Sequence, residues 1–285
     1  MRARLALFLP LFLFFPGTRV LAQVVITDSV MYARDSAIEM PTDPTTLFFQ
    51  GAEKTKNQAK TILLLKNKKS VSLAAFLKSL NGGMEDQPLY ADHGLADLDK
   101  DGKKELLIYN YTGGAHCCDE IYIFRNTGTG KYQQAGKLFA GNTVITDEKT
   151  FIYDFHEQFG YFFTCFACGV EDSTGRLTGI STITLRFRKG KMNLVPGDDN
   201  LLSTINKNLG LLGKMTFTPV DPDLMQDDGL RKEIALNLAV YYFSFNRHLE
   251  NTRQLFTRHY KHPDAAKIWL QFRRQLSYMQ EVNDF

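Results

Sequence analysis

A surplus of charge of either sign is missing. The 285 residues carry 34 Lys and Arg against 31 Asp and Glu, a formal charge of +3. Arg2, Arg4 and Arg19 lie in the first 22 residues with no acid beside them, so beyond that point 31 basic side chains face 31 acidic ones. A chain this close to neutral, with no dense basic patch along its length, is not built for nucleic acid, which is held by clustered Lys and Arg. Common catalytic signatures are missing too. There is no G-x-S-x-G, no H-E-x-x-H and no glycine-rich phosphate loop, and the six histidines are scattered. At 44% apolar and 23% charged the composition excludes wholesale disorder and fibrous repeats, and it fits one large or two small globular domains.

Arg2 and Arg4 precede an apolar stretch from Leu5 to Pro16, and Val20, Leu21 and Ala22 come before Gln23. That is the anatomy of a secretory signal peptide, expected over residues 1–22. The stretch is interrupted by Pro10 and falls short of the roughly 20 apolar residues of a spanning helix. No cysteine lies near the cleavage point, which speaks against a lipid anchor. The mature chain is expected to be secreted or periplasmic, with no integral membrane segment. Its four cysteines then sit where disulfides are the default.

Three zones follow. Residues 23–90 read as an N-terminal α/β segment with a polar Met40–Thr45, an apolar Thr61–Lys66, and a short helix. That helix is capped by Ser72, carries Leu73, Phe76, Leu77 and Leu80 on one face, and stops at Asn81, Gly82 and Gly83. Residues 91–220 read as β-rich. Strands are predicted at Glu105–Tyr111, Glu120–Arg125, Lys131–Phe139, Thr150–Phe155, Tyr161–Phe166 and Ile180–Arg188. An acidic linker, Asp221–Asp228, opens residues 221–285, read as a helical pair. Its first helix carries Ile234, Leu238, Tyr241, Tyr242, Phe245 and Leu249; its second begins at Pro263 and carries Ile268, Phe272, Leu276 and Met279. Both are expected to dock on the β region, with Trp269 as a core anchor. The expected fold class is α+β: a central antiparallel β domain, a blade-like meander, with an N-terminal α/β segment and a C-terminal helical pair.

The most informative stretch is Asp97 to Glu105, D-x-D-x-D-G-x-x-E. Calcium takes six to eight oxygens at about 2.3 to 2.6 Å, and carboxylates two residues apart in a tight loop can turn inward together. Gly102 allows the sharp turn that aims the Lys103 carbonyl at an ion held by Asp97, Asp99, Asp101 and Glu105. An EF-hand needs an acid at its twelfth position, here Ile108, and a helix where a strand follows. The loop resembles instead the calcium loops of FG-GAP and VCBS repeats. The strand Ile121–Phe124, the glycine turn and the aromatic of Arg125–Tyr132 extend the likeness over about Ala96 to Phe139. That is one unit, where a propeller needs four or more blades. The resemblance implies a structural calcium ion.

Next come Gly113, Gly114, Ala115, His116, Cys117 and Cys118, and later Cys165 and Cys168. The acidic loop, the strand and GGAHCC together are similar to a group of uncharacterised secreted bacterial proteins, which implies location and architecture but no activity. Four cysteines allow three pairings. If the two segments were paired antiparallel strands, Cys117 with Cys168 and Cys118 with Cys165 would need the smaller register mismatch. A bridge closing about 50 residues contributes roughly 4 kcal/mol. A vicinal Cys117–Cys118 bond is a further option. His116 with two or three thiolates is the alternative metal site, for zinc or copper. A thioredoxin-like use of CFAC requires a helix after it.

Asp154, His156 and Glu157 form a D-x-H-E group best read as a polar loop. His248, His259 and His262 are expected in the C-terminal helices, and Asn110, Tyr111 and Thr112 form a glycosylation sequon. The expected function is an exported, calcium-stabilised, disulfide-bonded binding or scaffolding protein, with a protein or glycan partner of unknown identity and no nucleic acid. The alternative is a metal-dependent hydrolase, or a redox protein using His116 and the thiols.

Overall fold

Glu105–Tyr111 reads ELLIYNY, apolar at almost every position instead of alternating, and such a strand is stable only with both faces covered. In the computed structural model it is a strand buried from Glu105 to Asn110. The structure describes residues 52–81, 91–111, 119–139, 143–146, 149–216, 219–221 and 226–285, all within the unit Pro41–Phe285. The expected signal segment and GGAHCC lie outside the described residues.

The first sheet has six strands: β1 (Ile62–Leu64), β2 (Ser70–Ser72), β3 (Ala91–Ala96), β4 (Glu105–Tyr111), β5 (Asp119–Gly128) and β6 (Lys131–Phe139), in the spatial order β2-β1-β6-β5-β4-β3. All pairs are antiparallel except β1 with β6, where Ile62 lies beside Lys131. The described part of residues 23–90 is therefore built into this sheet, and Glu53 also bridges Leu95 of β3. Helix α1 (Leu73–Leu80) starts at Ser72, whose side chain accepts from the Ala75 amide.

Alternation along the strands divides the core. On one face Leu106, Ile108 and Phe124 pack with Leu73 and Leu77 of α1. On the other, Leu107, Tyr109, Ile121, Ile123 and Leu138 join the main core. That core is closed by a second antiparallel sheet of β7 (Val144–Ile145), β8 (Thr150–Asp154), β9 (Thr182–Arg188) and β10 (Lys191–Leu194), ordered β10-β9-β8-β7. Met192 of β10 fits against Gly136 of β6, where an added Cβ would lie 3.3 Å from the Met192 Cγ.

The remaining elements are α2 (His156–Phe159), α3 (Asp199–Leu212), a ribbon of β11 (Pro219–Asp221) and β12 (Gln226–Asp227), α4 (Leu230–Ser244), α5 (Leu249–His259) and α6 (Ala265–Val282). The α+β class with a C-terminal helical group stands. Several boundaries differ from expectation. The helical pair is three helices, because Asn246 and Arg247 adopt positive φ, 67° and 53°, and break the stripe predicted to run through Leu249. The last helix begins at Ala265, after Asp264 and not at Pro263, with Ile268, Phe272, Leu276 and Met279 buried as the spacing requires. Trp269 is partly buried, its ring 5.4 Å from Phe256 and 5.6 Å from Phe272.

Helix α3 falls inside the zone read as β; its Asp198 cap and the buried Ile205, Leu209 and Leu212 give it a helical stripe. Tyr161–Phe166 is not a strand. Phe163 takes φ 57°, and the segment's bridge is a single parallel pairing of Thr164 with Asp227. The acidic stretch Asp221–Asp228 is more than a linker, since Asp227 is fully buried at the start of α4.

Helix α4 is buried at every position except Tyr241, as a helix in the centre of a core must be. The chain end is tied into the same core. Asn283 accepts from the Phe139 amide at 2.7 Å and donates to the Tyr153 hydroxyl at 3.0 Å, and the Phe285 ring lies 5.2 Å from Tyr153. Among the described residues no helix is long and apolar enough to cross a membrane.

Candidate metal site and the cysteine turn

β3 and β4 are adjacent antiparallel strands, with Ala96 opposite Glu105, so residues 97–104 must reverse the chain at their ends. The reversal is made by the loop's own side chains. Asp97 accepts from the Asp101 amide at 3.1 Å through Oδ1 and from the Gly102 amide at 3.0 Å through Oδ2. Lys100 and Gly102 supply positive φ, 61° and 84°. Leu98 is buried as a plug under the loop, and its amide donates to Glu105 Oε2 at 3.0 Å.

The consequence is a convergence of carboxylates. Asp97, Asp99 and Glu105 each bring an oxygen within 4.8 Å of the others. Asp99 Oδ1 is buried without a hydrogen-bond partner. Glu105 is only 3% exposed. Burial, reinforced by Asp99 and Asp101 and opposed by the Leu98 amide, pushes its carboxyl up to about 7. A divalent cation would satisfy the Asp99 oxygen and hold Glu105 ionised. Calcium suits the all-oxygen donor set and the exposed mouth of the loop, where water can complete the shell.

Of the four expected carboxylate ligands the structure gathers three. Asp101 stands outside the group because its Oδ1 accepts from the Lys103 amide at 2.8 Å, bracing the turn. The Lys103 amide makes that bond, which leaves its carbonyl, the expected main-chain ligand, unengaged by the brace. Lys104 pairs with Glu53, which lies on the segment bridged to β3, so the loop is also tied to that edge of the sheet.

The cysteines depart from the expected cross-pairing. Cys165 is bonded to Cys168, with Cα atoms 5.1 Å apart. The CFAC segment is a turn, not a strand. The Cys168 amide donates to the Cys165 carbonyl at 3.1 Å, which puts the two Cβ atoms on the same side and leaves neither thiol for Cys117 or Cys118. His116, Cys117 and Cys118 lie outside the described residues.

The cysteine turn is seated on the start of α4. Thr164 Oγ1 donates to the Asp227 carbonyl at 2.7 Å, the Asp227 amide to Phe163 O at 2.9 Å, and Lys232 Nζ to Phe166 O at 2.8 Å. These buried charges are functional-looking residues that belong to none of the motifs named above. Asp227 accepts from the Gly229 amide and from Arg231, whose guanidinium also reaches Asp264. Burial pulls the Lys232 ammonium down, and burial pushes Glu233 up to about 7 against the pull of Lys232. Their sequence signal was an Arg-Lys-Glu run at the head of an otherwise apolar helix.

Other expected sites resolve plainly. Asp154 accepts from the His156 amide at 2.8 Å and starts the one-turn helix α2. His248 precedes α5, His259 is inside it, and His262 lies beyond it with its ring 4.8 Å from Tyr260. Asn110 of the sequon is buried and donates to Glu120 at 3.0 Å. Comparison with protein-family models, curated proteins and solved structures finds no match.

Proposed function

We propose that this chain is an exported binding or scaffolding protein whose β3–β4 turn is fastened by calcium and whose cysteine turn is locked by a disulfide. The observation that carries the reading is the convergence of Asp97, Asp99 and Glu105, with a buried Asp99 oxygen lacking a partner. The likeness of the loop to FG-GAP and VCBS repeats supports calcium as the ion. The signal-like residues 1–22 and the disulfide support an oxidising, extracytoplasmic setting. The ion's role is structural: a loop that closes one end of a hairpin gains folding free energy from any ligand that binds only the folded form. The rival thiolate-metal reading loses two of its four possible sulfur ligands to the Cys165–Cys168 bond.

Thermal unfolding in millimolar calcium against excess chelator tests the site. Stabilisation of about 3 kcal/mol is expected when calcium stands near a hundredfold above its dissociation constant. Asp99→Asn and Glu105→Gln should each abolish the calcium response. At pH 7 without calcium, Glu105→Gln should be at least as stable as the parent, because it removes a buried acid. A parent protein that melts identically in calcium and in chelator overturns the proposal.

A further inference from the structure

Strand pairing assembles a face that the linear sequence conceals. β9 and β10 are joined by a two-residue turn in which Lys189 and Gly190 both have positive φ, 52° and 70°, the geometry that matches strand twist in tight hairpins. The register puts Arg188 opposite Lys191 and Arg186 opposite Asn193. Ile183, Leu185, Phe187 and Met192 are buried in the main core. By alternation, Thr182, Thr184, Arg186 and Arg188 occupy the outer face of β9, with Lys191 and Asn193 beside them on β10. Arg125 of β5 reaches the same turn: a Cβ on Gly190 would lie 3.3 Å from its Cδ, and its Nε donates to Gln133, not to a carboxylate.

Positive charge is in excess on this face. From Ser173 to Gly197 the sequence contains no acid. Arg188 and Lys191 are a directly opposed like-charge pair, an arrangement that costs stability in a sheet. Among the described residues, Arg125, Arg186, Arg188, Lys189 and Lys191 form no ion pair. Among the described residues, the acid that shares this face is Asp154 of β8, opposite Thr182 and four residues along β9 from Arg186, one against these five cations. The local surplus exceeds the +3 of the whole chain, so the rest of the molecule is net acidic.

We propose that the outer face of the second sheet binds an acidic polysaccharide. The cations engage its carboxylate or sulfate groups, and the intervening Thr182, Thr184 and Asn193 hydrogen-bond its hydroxyls. The face selects among polyanions by what it leaves out. A membrane-docking surface adds apolar side chains that enter the lipid interface, and the exposed large apolar residues, such as Tyr161, Leu270 and Tyr278, lie on other elements. A single-stranded nucleic acid is gripped by aromatic platforms, and this face carries none.

The proposal takes its exported setting and binding role from the function proposed above, but its test is independent of the metal loop. Affinity for heparin and for polygalacturonate is measured for the parent, for Arg186→Gln/Arg188→Gln/Lys191→Gln, and for a control of equal charge loss at exposed positions on and just after α5, Arg253→Gln/Arg258→Gln/Lys261→Gln. At least a tenfold loss is expected in the hairpin variant and less than twofold in the control. The hairpin variant relieves repulsion on an exposed face, so it should fold, with an unchanged calcium response. Equal losses in both variants, no binding by the parent, or equally tight binding to duplex DNA or to phosphatidylglycerol vesicles would overturn the assignment. A chain that keeps its polysaccharide affinity but ignores calcium would sink only the metal reading.

Discussion

Two glycines with the same backbone peculiarity serve different ends, and substitution separates them. Gly102 turns the metal loop at φ 84° with open space where a Cβ would go. Gly229 sits at φ 109° before α4, and a Cβ there would lie 2.7 Å from the Gly169 Cα and 2.8 Å from its nitrogen. Left-handed backbone costs a non-glycine residue roughly 1 to 2 kcal/mol. Forcing a methyl into packed backbone adds about 1 to 3 kcal/mol. Gly102→Ala should therefore lose about 1 kcal/mol and Gly229→Ala about 3 kcal/mol or more, read as shifts in urea midpoint. Comparable losses at the two positions would mean that the cysteine turn yields freely from the head of α4. Gly102 was legible in the sequence because the acids around it announced a loop. Gly229 was not, since its constraint comes from a backbone sixty residues away.

At the level of elements, the cysteine turn and α4 act as one unit. The disulfide closes only the four residues from Cys165 to Cys168. By loop-closure entropy a ring that short contributes about 2 kcal/mol, against roughly 4 kcal/mol for a bridge spanning 50 residues. Cys165→Ser/Cys168→Ser is accordingly expected to lose about 2 kcal/mol in a denaturant titration, with cooperative unfolding retained. A loss near 4 kcal/mol would point to long-range bridging. Elements with strong local signals were readable from sequence. The Ser72-capped helix and the strands Glu105–Tyr111 and Lys131–Phe139 match their observed bounds. Tyr161–Phe166 misled because aromatic content reads as β, while here Thr164 and Phe163 are spent on Asp227. Helix α3 was hidden by polar residues on its exposed side. The acidic loop announced its place in the sequence, but which carboxylates converge was decided by Asp101 turning onto the Lys103 amide.

Taken whole, the molecule holds carboxyls displaced in both directions, and together they set how stability follows pH. Burial pushes Glu105 and Glu233 up to about 7. A carboxyl raised above its unfolded value binds its proton more tightly in the folded state, so between about pH 4.5 and 7 the native chain holds more protons than the unfolded one and stability falls as pH rises. Asp92 runs the other way. Burial alone would raise it, but hydrogen bonds from His93 and Lys54 outweigh that and hold it down to about 2. Its contribution is complete above the ordinary Asp range near 4 and is lost as pH falls through it towards 2. Without calcium, stability should be greatest at about pH 4 to 5 and decline toward neutrality, each raised carboxyl costing about 2 to 3 kcal/mol by pH 8. Calcium at Asp97, Asp99 and Glu105 should abolish the Glu105 share of that decline and leave the Glu233 share intact, because Glu233 lies against Thr178 and Gly179 in the main core. Urea midpoints between pH 4 and 8, in calcium and in chelator, measure both shares. Glu105→Gln should flatten the chelator curve by about half and make it insensitive to calcium. A chelator curve that instead rises steadily to pH 8 would show that neither carboxyl is held protonated by the fold.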